Sequence, residues 1–351
     1  MIISPETKER YSRFWNRLDT DRACLFIQSS EHIPAFPEPV SPAQKWGDFT
    51  YREKQVLNEV THADYYAEGF PSVFNNFGPG NLAACISGYY KFADATIWFE
   101  NDPPFIEDWK KAPEPVTDES SEMFRLVEDY DAMLRSHKDV LVASVPDIGG
   151  TYDIIASLRG TENLLYDMYD YPEEMKAFAK KLAPVWKAYY SHYVDRLLKE
   201  QGCMTSWQPV WSDLPYYPIQ CDYSAMLSPD MFDEFILPDL KQQTEFLSRS
   251  IYHLDGPGEL PHVDSLLSLP RLNAIQWTNG DGKPPLHDPC WFELYDRIQR
   301  AGKGIVLLGP EPEHVEDILR HVSGRGLYMS LYVDNEKQAK EIIHMAEMLM
   351  H

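Results

Sequence analysis

SIYHLD, residues Ser250–Asp255, runs directly into the turn Gly256-Pro257-Gly258, and a stretch opened by Ser228-Pro229 precedes it. Six mainly apolar residues ending in Gly-Pro-Gly read as a short buried strand. Ser at the N-cap and Pro in the first turn predict a helix running from there to about Ser248. The same rhythm, an apolar run ending in polar, Gly or Pro residues and then a helical pattern, recurs along the chain. The other runs are Ala23–Gln28, Ser72–Asn76, Val140–Val145, Met204–Val210, Asn273–Trp277, Gly304–Leu308 and Leu327–Leu331. Helical patterns fall at Thr161–Glu200, Asp288–Ala301, Glu311–Arg320 and Asn335–Leu349.

Alternating strands and helices imply a parallel sheet, because parallel strands need crossovers. Eight repeats in 351 residues fit an α/β protein of the (β/α)8 TIM-barrel type. A doubly wound open sheet is the rival, but no GxGxxG follows the first run. The expectation is one domain over residues 1–351, with an N-terminal helix within 1–20. The polar, Pro-rich stretch 102–131 reads as an excursion that mixes loop and helix.

With 44% hydrophobic and 25% charged residues the composition is that of a soluble globular protein. No apolar run approaches the ~18 residues of a membrane span, and the charged start lacks the apolar core of a secretory signal. A cytoplasmic location is the expectation. Five scattered cysteines without CxxC suggest free thiols, with neither a disulfide framework nor a zinc knuckle. The 55 acidic residues outnumber 32 basic ones, for a net charge of −23, and no basic stripe stands out. Nucleic acid and anionic membranes are therefore excluded as partners.

In a barrel, function collects on the loops after the strands. Residues i and i+2 of a strand share a face, so His253 and Asp255 aim together at the mouth. They suit two metal ligands, or a His base oriented by a carboxylate; a hydrogen-bonded His and a turn-capping Asp are the bland alternative. Asn75, Asn76 and the following Gly-Pro-Gly could supply amide donors, or form a tight capped turn. Asp147 and Tyr152 follow the third run, Trp207, Gln208 and Trp211 lie on or after the fourth, and Gln276 and Trp277 end the sixth. Aromatic residues are commonly core, yet several at a barrel mouth could wall a pocket for a flat or cationic ligand. His314 and the other helix-borne histidines read as surface or packing residues, with His262 a reserve ligand.

The stretch Leu227-Ser-Pro-Asp-Met-Phe-Asp-Glu-Phe-Ile-Leu-Pro-Asp-Leu-Lys241 resembles the LSPE-x-F-x-E-F-x-LP-x-LK helix of the uroporphyrinogen decarboxylase superfamily. His253 and Ile275-Gln276-Trp277 follow in the order that family would have, and Asp147–Gly160 resembles its third strand-to-helix loop. The resemblance implies one of two chemistries, and commonly a homodimer. The decarboxylases bind a porphyrinogen through an arginine-bearing loop after the first strand; here that loop reads Gln28-Ser29-Ser30-Glu31-His32, without arginine. The cobamide-dependent methyltransferases hold zinc through His-x-Cys on the fifth strand and a later Cys. This chain keeps the histidine, with Asp255 in place of the first cysteine and no cysteine near Tyr332. Zinc accepts carboxylate oxygen, so His253 and Asp255 remain possible ligands, with Glu259 or Glu311 as a third.

The resemblance therefore points to methyl transfer between a small methylated compound and a corrinoid, carried by a partner protein, or a similar one-carbon carrier. In this reading His253 and Asp255 hold the metal or polarise the reacting group, Gln208 and Asn75 position the substrate, and Trp211 and Trp277 wall the pocket. Asn76, Asp147, Tyr152, Trp207 and Gln276 are further substrate contacts. Porphyrinogen decarboxylation and a non-catalytic barrel that binds a methylated ammonium ligand are the alternatives.

Overall fold

The computed structural model describes residues 3–100 and 102–349. Among the described residues the strands are β1 Cys24–Ser29, β2 Asp64–Ala67, β3 Ser72–Val73, β4 Lys91–Phe92, β5 Ile97–Trp98, β6 Val142–Ala143, β7 Tyr216–Gln220, β8 Arg249–Asp255, β9 Ala274–Thr278, β10 Gly304–Leu308 and β11 Leu327–Val333. Seven of them form one sheet in the order β2-β1-β11-β10-β9-β8-β7, parallel throughout except for β2 against β1. β3 and β6 form a separate parallel pair, and β4 and β5 a hairpin. The protein is thus α/β with a mostly parallel sheet. Among the described residues the strands do not close into one hydrogen-bonded ring, although Val145 N–H reaches the Thr205 carbonyl (3.0 Å) and extends the β3–β6 side toward the fourth run.

That fourth run is the main departure from the expected strands. Apart from the bond from Val145, Met204–Val210 makes a bridge from Met204 to Ser212, and the sheet strand is Tyr216–Gln220, which starts twelve residues after Met204. Pro218 speaks against a central strand because it has no N–H to donate. β7 closes one end of the seven-stranded sheet, where a missing donor is tolerated.

The helices follow the sequence pattern with two local changes. Thr161–Glu200 is two helices, Thr161–Asp170 and Pro172–Gln201, because the residue before a proline avoids helical backbone. The helical stretch after Ser228 is capped by that serine, whose Oγ accepts from Met231 N–H at 3.3 Å. It loosens to i→i+5 bonding over Phe232–Ile236 and resumes as Leu237–Phe246. Pro238 has no N–H for the carbonyl four residues back, which accounts for the looser turn. The 102–131 stretch holds a short 3₁₀ turn, Trp109–Lys111, and then the start of the helix Glu122–Ser136.

Gly150 shows how tightly one loop is held against the sheet. A Cβ there would lie 2.0 Å from the carbonyl oxygen of Gln220, so only glycine lets the helix Thr151–Arg159 start against the end of β7. No described helix is long and apolar enough to cross a membrane.

Candidate active site

Parallel pairing sets Gln220 of β7, His253 of β8 and Gln276 of β9 side by side in register. Register partners on neighbouring strands face the same way, so they form a polar row near the C-terminal strand ends. The Nε2 of Gln276 donates to Thr278 Oγ1 at 2.8 Å, which turns its Oε1 toward Nδ1 of His253. His253 therefore donates from Nδ1 and leaves the Nε2 lone pair free when the ring is neutral. Burial holds its pKa below the usual histidine value, against the opposing pulls of Gln276 and Asp255, so the neutral form prevails at pH 7. Trp207 meets the ring edge-on, centroids 4.9 Å apart. Gln208, fully buried, turns its Nε2 toward Gln276 Oε1 at 3.5 Å.

Nε2 of His253 stands 3.9 Å from an oxygen of Asp255 and 3.9 Å from one of Asp222. These distances are too long for hydrogen bonds, but the donor atoms of all three residues lie within 4.8 Å of one another. Asp222 was not legible in the sequence, because it follows the misplaced fourth strand. Placed correctly, it lies two residues beyond Gln220, at the start of the 3₁₀ turn Asp222–Met226. Its side chain keeps 43% of its surface open to the mouth, yet sits deep among protein atoms. Lost hydration, and then Asp153, Glu259, Asp255 and Asp147, push its carboxyl well above the usual range. Asp153 steadies the loop by accepting from Tyr223 N–H (2.9 Å) and Gly150 N–H (3.2 Å). A cleft of about 290 Å3 lined by Gly80, Phe99, Asp153, Gln220, Asp222 and Met226 opens on one side of the cluster, a size suited to a small ligand.

Several residues expected at the mouth lie elsewhere. Trp277 alternates with Gln276, so it faces away from His253 and packs on Trp291 at 4.9 Å. Trp211 is buried beside Tyr11 of the N-terminal helix Pro5–Asn16. Tyr152 is buried edge-on to Phe235. Asn75 points its amide at the Val127 carbonyl (3.5 Å), and Asn76 accepts from Gly78 N–H in a tight turn (3.1 Å). Glu259 accepts from the Tyr252 hydroxyl at 3.0 Å, on the strand face opposite His253, and the carboxyl near His253 besides that of Asp255 is that of Asp222. His262 stacks on Phe232 and bonds the Ser224 carbonyl, a packing role.

Asp147 accepts from the Tyr217 hydroxyl (3.0 Å) and Gly149 N–H (3.2 Å). Burial outweighs these bonds, and with Asp153 nearby lifts its carboxyl to about 6. The folded state therefore binds this proton more tightly than the unfolded chain. The resulting stability is complete below about pH 4 and lost as pH rises through about 6, a change of roughly 3 kcal/mol. Asp147→Asn keeps the acceptor but cannot ionise, so its melting temperature relative to wild type should rise between about pH 4.5 and 7.5. A pH-independent difference would contradict the assigned burial.

No family profile matches the chain, and no curated protein matches it. Among solved structures, a methyltransferase from Methanosarcina mazei superposes with a TM-score of 0.58 at 9% sequence identity, covering 98% of each chain. At that identity the likeness shows the fold alone.

Proposed function

We propose that the chain is a methyltransferase on a (β/α)8 barrel, moving a methyl group between a small methylated compound and a corrinoid or another one-carbon carrier. The observation that carries this reading is the Asp222–His253–Asp255 cluster at the C-terminal ends of adjacent parallel strands, in a fold that a methyltransferase shares from end to end. In parallel α/β proteins ligands bind at those strand ends.

The cluster fits a divalent ion. It offers one imidazole nitrogen and two carboxylates; tetrahedral zinc with bonds of about 2.1 Å sets its donors roughly 3.4 Å apart, so the 3.9 Å spacings from His253 to each carboxylate need only a small inward movement of the side chains. A zinc ion held there would stabilise the thiolate or amine that loses the methyl group to the corrinoid, or that receives it in the reverse direction. The protein's own part is to keep His253 neutral, fix its tautomer through Gln276 and wall the ring with Trp207. A cation held there would favour the ionised form of both carboxyls, so the mouth suits a cation better than an anion.

Porphyrinogen decarboxylation is poorly served, because the lining of the cleft beside the cluster holds no arginine or lysine among the described residues. Buried substrate carboxylates without partners would cost several kcal/mol each, roughly. The test offers the protein methylated thiols and amines with reduced cobalamin, and separately uroporphyrinogen. Methylated cobalamin with the first set and no carbon dioxide from the second is the expected outcome; the opposite pattern overturns the reading.

A further inference from the structure

A second group of potential ligands lies at the same end of the sheet, on the segments after β9 and β10. His287, Glu311 and His314 bring their donor atoms within 4.8 Å of one another. Nδ1 of His287 is 3.1 Å from Oε2 of Glu311, and the His314 ring stacks on that of His287 with centroids 3.9 Å apart, so a shared ion requires one of these partly exposed rings to turn out of the stack. Glu311 caps a 3₁₀ turn, Pro312–His314. Three residues complete one such turn, so the residues at i and i+3 eclipse and present Glu311 and His314 to one side. His287 comes from a different loop, which is pinned by bonds from Asn279 Nδ2 and Trp291 Nε1 to the Pro284 carbonyl (2.9 and 3.1 Å) and from Tyr295 to the Leu286 carbonyl (2.8 Å).

His314 has a further partner. Its Nδ1 lies 3.2 Å from Asp317 Oδ2, one helical step beyond. A carboxylate on one ring nitrogen fixes the tautomer and frees the other nitrogen for a ligand, the arrangement typically found behind metal-binding histidines. Two imidazoles and one carboxylate from two loops, with an oriented tautomer, make a three-donor set with positions left for water.

We propose that His287, Glu311 and His314 form a second site for a divalent first-row transition ion, which clasps the loop after β9 to the turn after β10. Imidazole nitrogen with a single carboxylate favours zinc, cobalt or nickel over calcium and magnesium, which prefer all-oxygen sites. The site is separate from Asp222–His253–Asp255, shares no residue with it and does not depend on the activity proposed there. Within it Glu311, considered from sequence as a ligand beside His253, pairs instead with His287 and lies near His314, two histidines that the sequence did not single out as ligands.

The test titrates metal-stripped full-length protein with Zn2+ by calorimetry and with Co2+ by visible absorption. Wild type should take up two ions. His287→Ala and His314→Ala should each lose one, Asp222→Asn should lose the other, and Asp317→Asn should weaken the second ion roughly 10- to 100-fold. The side chains involved are 19%, 53% and 44% exposed, so their replacement leaves the core untouched; circular dichroism checks this. A single ion that survives both His287→Ala and His314→Ala but is lost in Asp222→Asn overturns the second site and leaves the first reading standing. A single ion with the reverse dependence supports the second site and counts against metal at the first.

Discussion

His253→Ala should cut turnover by about 10²- to 10⁴-fold, the range over which removing a group that acts directly on the reacting atoms is felt. The imidazole is the one group that the polar row of β7, β8 and β9 is built around. Gln276 fixes its tautomer, Trp207 packs its edge, and Nε2 faces two carboxylates. Alanine removes that nitrogen and leaves the Gln276 oxygen with only the 3.5 Å approach of Gln208. An unsatisfied buried acceptor costs about 1–3 kcal/mol, small enough for the variant to remain folded at room temperature. Loss of activity with a retained circular dichroism spectrum is therefore expected. Trp277→Phe and Trp211→Phe should behave in the opposite way, lowering stability while sparing turnover, since both rings belong to the packing. Turnover within a few-fold of wild type in His253→Ala would remove the histidine from the chemistry.

Glu68→Ala should produce the largest loss of stability. Glu68 and Arg22 are both nearly inaccessible and meet through two parallel bonds of 2.6 and 2.7 Å. The same carboxylate accepts from Leu25 N–H at 2.9 Å and lies 3.7 Å from Arg10 Nε, while the Glu68 carbonyl accepts from the Tyr11 hydroxyl. One residue after β2 thus ties the N-terminal helix, the approach to β1 and the β1–β2 edge together. Removing it strands the Arg22 charge in the interior, at a cost of about 3–5 kcal/mol. For a chain of this length that corresponds to a fall in Tm of roughly 4–7 °C. A shift below about 1 °C would mean that water reaches Arg22 and the pair is not truly buried.

Much of the framework could be read from the sequence because apolar runs between turn residues have few other uses. β1, β8, β9, β10 and β11 lie where their runs put them, and Ser228 caps its helix as expected. β7 was hidden by Pro218, which reads as a strand breaker except at a sheet edge, and Asp222 was hidden with it. The short antiparallel β2 and the hairpin β4–β5 carry no comparable apolar signal. At the site, alternation along one strand placed His253 and Asp255 together, and the same alternation takes Trp277 away from Gln276. Which aromatic rings wall a pocket depends on strand register and helix packing, and residue type alone does not carry that information. Glu259 and Glu311 were both plausible third ligands by position, yet each has a nearer partner that only the folded chain brings to it.

The most direct measurement of the central claim is a single-turnover reaction with a deuterium-labelled methyl donor and reduced cobalamin, followed by mass spectrometry of the corrinoid, in wild type beside Asp222→Asn. Label accumulating in the corrinoid with wild type, and much more slowly with Asp222→Asn, is what methyl transfer at Asp222–His253–Asp255 predicts. Label that stays wholly in the donor with folded, donor-saturated wild type, or that transfers equally fast in the variant, would contradict it.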